Sequence, residues 1–159
     1  MLFGAAEGGS ADLSFLPPYI ASVTPIFAVS RGLWAANVSD RRVPQDPHSP
    51  SGPRTAGYLA SRMGGDPTFA IEVAVAPGSL AEGQQFSLAL YAVDWDGRGR
   101  RGTVALLDGA SLDPISPIQQ LSSFGEGVWL KYNYSSSLRI RVSQSRGDNC
   151  VVSALVFGA

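Results

Sequence analysis

The chain has 159 residues, 45% apolar and only 16% charged, with Lys+Arg 12 against Asp+Glu 13 and a net charge of -1. That length fits one domain able to bury roughly 70% of the surface its unfolded form exposes. The charge balance excludes a global field that recruits nucleic acid or an anionic membrane. The 18 glycines and 11 prolines interrupt the chain too often for a helical protein and favour short strands joined by turns.

No run approaches ~18 consecutive apolar residues, so no transmembrane segment is expected. Glu7, Gly8, Gly9 and Asp12 break up the start, which lacks the unbroken apolar core of a secretory signal. The lone Cys150 allows neither an internal disulfide nor a thiolate metal knot, and within CVVSALVF it reads as a small buried hydrophobe. Asn37-Val38-Ser39 and Asn133-Tyr134-Ser135 fit the glycosylation pattern, but such matches arise by chance in a serine-rich chain.

Residues 1–159 are expected to form a single domain with two unequal parts. Positions 1–65 read as a mostly irregular covering segment, with LPPY at Leu16 to Tyr19 and the proline-punctuated run VPQDPHSPSGPR from Val43 to Arg54. A short helix over Ala56 to Met63 is the one regular element expected there. Residues 66–159 carry the main strands. Phe69, Ile71, Val73 and Val75 alternate with Ala70, Glu72 and Ala74, which predicts a strand over Thr68 to Val75.

The same period predicts strands over Phe86 to Trp95, Thr103 to Leu107, Gly127 to Tyr134 and Leu138 to Ser143. The last two are expected to form a hairpin through Ser135-Ser136-Ser137. The nearly all-apolar run Cys150 to Phe157 reads as a central strand covered on both faces. Leu88, Leu90, Val104, Leu130, Ile140, Val151 and Leu155 are the expected core. Six strands without an amphipathic helix between them predict an all-β antiparallel sandwich of jelly-roll type.

Chemistry concentrates in AVDWDGRGRRG, residues Ala92 to Gly102. Gly97, Gly99 and Gly102 satisfy G-x-G-x-x-G. A dinucleotide fold needs a helix after them, whereas Thr103 to Leu107 reads as a strand. The kinase form of the motif stands alone, without the lysine, H-R-D or D-F-G elements that fold requires. Aligned as an EF-hand, Asp94 and Asp96 would put Arg98 at the fifth ligand and Ala105 at the twelfth, where a glutamate is needed. An irregular structural calcium site on Asp94, Asp96 and carbonyl oxygens is the only cofactor the pattern leaves room for; otherwise none is expected. The favoured reading is a strand-to-strand connection braced by a contact from Asp94 or Asp96 to Arg98, Arg100 or Arg101.

Catalytic residues are not expected. His48, the only histidine, lies in the proline-rich loop and reads as an exposed surface residue, and no G-x-S-x-G elbow presents a nucleophile. A carboxylate-dependent hydrolase using Asp94 and Asp96 is the residual enzymatic alternative.

From Leu16 onward the chain resembles an uncharacterised family of bacterial all-β modules, often found in large extracytoplasmic proteins, with the pattern LPxY, YxxDWDxxxR, FxxGxYL and GxNAVxSGxFF. The matching residues are Leu16-Pro17-Pro18-Tyr19; Tyr91, Asp94, Trp95, Asp96 and Arg100 or Arg101; Phe124, Gly127 and Leu130; and Gly147, Asn149, Val151, Ser153 and Phe157. Trp129 replaces the pattern's tyrosine, Cys150 interrupts the NAV element, and Ala154-Leu155-Val156 departs from its small and aromatic residues. The resemblance implies a galactose-binding-like sandwich related to carbohydrate-binding modules, an extracytoplasmic or organelle-lumen location, and a further strand before LPxY that makes Met1 a truncated start.

The expected function is therefore a non-catalytic binding module, carbohydrate-binding-like, with a glycan or protein partner and no nucleic acid. Indoles stack on pyranose faces and fixed polar groups meet hydroxyls. Trp95, Trp129 and Trp34, with Asp94, Asp96, Arg100 and Asn149, are the residue set for such a site, with Trp95 the expected platform. In the scaffold reading, Trp95 and Asn149 lock loops while the Asp/Arg cluster ties strand ends. The alternative function is a structural or assembly subunit of a larger complex, using the segment Leu16 to Arg54 to cover a partner.

Overall fold

The computed structural model describes residues 1–27, 29–62 and 67–158. Among them the architecture is all-β, with every strand pairing antiparallel and no helix long and apolar enough to cross a membrane. The strands are β1 (Leu2–Ala6), β2 (Ala11–Leu13), β3 (Ile20–Ile26), β4 (Val29–Val38), β5 (Arg54–Ser61), β6 (Thr68–Val75), β7 (Phe86–Ala92), β8 (Arg101–Asp108), β9 (Gln119–Leu121), β10 (Val128–Tyr134), β11 (Leu138–Arg146), β12 (Val151–Val152) and β13 (Ala154–Gly158).

Two five-stranded sheets make the sandwich. The first runs β10-β7-β13-β1-β2 and the second β3-β6-β11-β8-β9, while β12-β5-β4 forms a small third sheet. Alternation drives the packing. Leu88 and Leu90 of β7 meet Phe69, Ile71, Ile140 and Val142 of the second sheet, all fully removed from water. Of the expected core only Leu130 is half-buried; it packs at the edge of the cluster on β10, the outermost strand of its sheet.

Several expectations are corrected. Among the described residues of the first 65, the chain is not mostly irregular but holds five strands. Ala56 to Ser61, expected as part of a helix, belong to β5, and Met63 lies outside the described residues. A side chain at Gly57 would run into the carbonyls of Phe3 and Gly4, so β5 passes β1 at a distance only glycine permits. The segment Leu16 to Arg54 is likewise no free arm: β3 pairs with β6, β4 pairs with β5, and Val43 is buried.

Ser135-Ser136-Ser137 is not a hairpin. β10 pairs with β7 in the first sheet, whereas β11 pairs with β6 and β8 in the second, so the serines form a corner between layers. The Ser137 hydroxyl accepts the Val75 N–H at 2.9 Å, and its carbonyl accepts the Gly109 N–H at 2.9 Å, fixing the corner to the second sheet. The last apolar run is also divided. At Ser153, whose N–H donates to the Tyr91 carbonyl at 2.8 Å, the chain leaves β12 and enters β13. β13 is central, but its Val156 is exposed on the outer face, where a groove opens.

Candidate functional site

The connection between β7 and β8 is built around the Asp94 carboxylate. Its oxygens accept backbone N–H bonds from Arg98 at 3.3 Å, Gly99 at 2.8 Å and Arg100 at 3.2 Å. Gly97 (φ 65°) and Gly99 (φ 68°) supply the left-handed turns that aim those groups inward. Asp94 Oδ1 also takes the Arg100 Nη1 donor at 2.6 Å, and Nη1 bonds Asp96 Oδ1 as well. Arg100 Nε donates to Asn149 Oδ1 at 2.8 Å, tying this loop to the one before β12.

Asp94, Arg100 and Asn149 are 5%, 5% and 6% exposed, so the cluster is an internal hub. A guanidinium stands between the two carboxylates, where a calcium ion would have to lie. Burial opposes ionisation of Asp96, but its bond to Arg100 and the charges of Arg100 and Arg98 overcome this and hold its carboxyl below the usual range. Burial likewise opposes the charge on Arg100, and the hydrogen bonds it donates to Asp96 and Asp94 reverse that and raise its pKa.

The three indoles differ sharply. Trp34 stacks on Tyr58 at 4.2 Å between centroids. Trp95 is half-buried under the Arg42 guanidinium, 4.5 Å from its ring centroid. Arg42 is itself fixed by Asp40 at 2.8 Å and by the Gly125 carbonyl at 3.1 Å. Trp129 is 44% exposed and stands on the outer face of the first sheet.

Trp129 is nevertheless rigidly placed. Its cross-strand partner is Tyr91, with ring centroids 4.6 Å apart, and the Tyr91 hydroxyl donates to the Arg42 carbonyl at 2.5 Å. Gly127 has φ 84°, and a side chain there would strike the Tyr91 ring. Trp129 borders an open groove of about 480 Å³ that also includes Val156, Pro44, Pro47, Phe15 and His48. Phe15 and His48 stack with centroids 4.0 Å apart.

The structure thus brings Asp94, Asp96, Arg100 and Asn149 together at one loop cluster, with Trp95 beside it, and sets Trp129 apart in the groove. Sequence reasoning missed Phe15 and His48 as parts of that groove and Tyr91 as the brace behind Trp129. Only the pairing of β10 with β7 reveals the Tyr91 brace, and only the fold of residues 39–53 brings His48 onto Phe15.

No protein-family model and no curated protein matches the chain. Among solved structures, it is similar to a family 35 carbohydrate binding module from Clostridium thermocellum, with 14% identity over 85% of this chain and 96% of that one and a TM-score of 0.41. It is similar to TmCBM61 in complex with beta-1,4-galactotriose, at 12% identity over 88% and 87% of the two chains and a TM-score of 0.39. It also matches 29% of an exo-beta-1,3-galactanase from Phanerochaete chrysosporium, at 17% identity over 86% of this chain and a TM-score of 0.39.

Proposed function

We propose that the protein is a non-catalytic binding module that seats a sugar ring of an oligosaccharide on Trp129. The observation that carries this reading is the combination of exposure and bracing at that indole. A ring left in water forfeits the free energy of burial, and one locked from behind by Tyr91 loses little entropy when a flat apolar ligand face covers it. The Phe15–His48 stack gives the same groove a second aromatic surface. Trp95, by contrast, already has Arg42 over its ring.

The non-catalytic part rests on the two carboxylates. Hydrolysis by a carboxylate pair needs one acid and one base facing a shared gap. Asp94 and Asp96 both bind Arg100, which sits between them where a shared gap would have to be. The assembly reading keeps one specific support: Leu112, Ile115 and Ile118 are all exposed in the connection between β8 and β9.

Binding to an array of neutral oligosaccharides, repeated with Trp129→Ala and Trp95→Ala, tests the proposal. It expects signal from the parent protein, loss with Trp129→Ala and retention with Trp95→Ala. An array without any signal favours the assembly reading.

A further inference from the structure

The outer face of the second sheet carries a cationic arrangement that folding alone does not explain. In the register of β8 against β11, Arg101 lies directly opposite Arg146. Val104, Leu106, Ile140 and Val142 point into the core, so alternation puts Arg101, Thr103, Arg141 and Ser143 on the solvent side. Arg139, also on that side, is paired with Glu72 at 2.5 Å. Among the described residues, Arg101, Arg141 and Arg146 make no ion pair. Like charges directly opposite across two strands destabilise a sheet.

Arg101 and Arg146 also flank a recess of about 190 Å³ completed by Ser123, Phe124 and Gly125. Asp94 and Arg100 line it too and are paired with each other. The neighbouring carboxylates are engaged as well: Asp96 by Arg100 and by Arg98 at 3.5 Å, and Asp148 by Arg98 at 3.7 Å. Between the cations runs a polar row. Thr68 pairs with Ser143, Ser143 with Thr103, and Thr103 with Gln120. Arg141 lies opposite Ala105, four residues along β8 from Arg101, which separates the two cationic rows by about 14 Å.

We propose that this face binds a linear polysaccharide carrying anionic groups, sulfate or carboxylate. Arg101 and Arg146 receive one anion in the recess, Arg141 receives another further along the chain, and the Thr–Ser–Thr–Gln row meets the hydroxyls between them. Guanidiniums this far apart suit a polymer whose charges are sparse. A nucleic acid, with a phosphate on every nucleotide, calls for a denser cationic track than a chain of net charge -1 supplies here. The site lies on the opposite sheet from Trp129 and stands independently of the sugar groove.

Retention on immobilised κ-carrageenan, with one sulfate per disaccharide, and on immobilised hyaluronan, with one carboxylate per disaccharide, with dextran and single-stranded DNA as controls, tests this. The expected result is retention on at least one anionic polysaccharide at about 50 mM salt and release by about 500 mM. Retention on κ-carrageenan alone identifies sulfate, and retention on hyaluronan alone identifies carboxylate. Arg101→Gln/Arg146→Gln is expected to weaken retention roughly tenfold or more without lowering the melting temperature, because it relieves a like-charge contact. Arg141→Gln, between Ala70 and Ala105, repeats the test at a single exposed position should the double variant fail to fold. Trp129→Ala is expected to leave retention unchanged, which separates this site from the sugar groove. Absence of retention on both anionic polymers, equal or stronger retention on DNA, or full retention by the arginine variants overturns the proposal.

Discussion

Asp94 Oδ1 and Arg100 Nη1 meet at 2.6 Å with both side chains nearly removed from solvent, and this bond, with the three backbone N–H groups that Asp94 accepts, anchors the loop from which Trp95, Asp96 and Arg98 project. Removing one member leaves an uncompensated buried charge, which costs more than the pair itself contributes. Arg100→Met or Asp94→Ala is therefore expected to lower stability by about 3–5 kcal/mol in urea unfolding. A loss below about 1 kcal/mol would show that water reaches the hub.

Asp96 supplies a pH signature. Its folded pKa lies below the ordinary value of about 3.9, so its contribution is fully present above that pH and is lost as pH falls through the folded value. Asp96→Asn should be less stable than the parent at neutral pH, and the gap should close on acidification below about pH 4. Melting temperatures of both proteins across that range check this; a gap that stays constant to low pH contradicts it.

The hydroxyls of Tyr132 and Tyr134 are buried and find no hydrogen-bond partner among the described residues. Burial pushes the Tyr132 phenol up to about 12 and the Tyr134 phenol higher still. Because an unpaired buried hydroxyl carries its desolvation cost without return, Tyr134→Phe is expected to be neutral or stabilising by up to about 1 kcal/mol. A loss of more than about 1 kcal/mol in thermal or urea unfolding would reveal a partner bound there.

Leu88 and Leu130 test the burial assignment. Leu88 is fully enclosed, and Leu88→Ala should cost about 2–5 kcal/mol. Leu130 is half-buried on an edge strand, and its truncation should cost less than about 2 kcal/mol. Equal losses in equilibrium unfolding would place Leu130 in the closed core.

The strands visible in the sequence are those with one wet and one dry face. Thr68–Val75 is predicted to the residue, because Phe69, Ile71 and Val73 face the core while Glu72 faces out. The strands β3 and β4 escape notice because both are edge strands whose side chains are mostly half-buried or exposed, which erases the alternation; β3 even accommodates Pro25. The Asp94–Arg100 contact is legible since only five residues of one loop separate the partners. The Tyr91–Trp129 brace is not, because it depends on β10 joining β7 rather than its sequence neighbour β11. A serine corner and a serine turn look alike until the partners of Ser137 are known.

The most direct measurement follows the indole N–H resonances of the three tryptophans while a neutral oligosaccharide recovered from the array is titrated in. The account predicts that the Trp129 resonance shifts in proportion to binding while Trp34, stacked on Tyr58, and Trp95, covered by Arg42, stay in place. A titration that moves Trp95 and leaves Trp129 unchanged would contradict it and put the ligand at the Asp94–Arg100 loop instead.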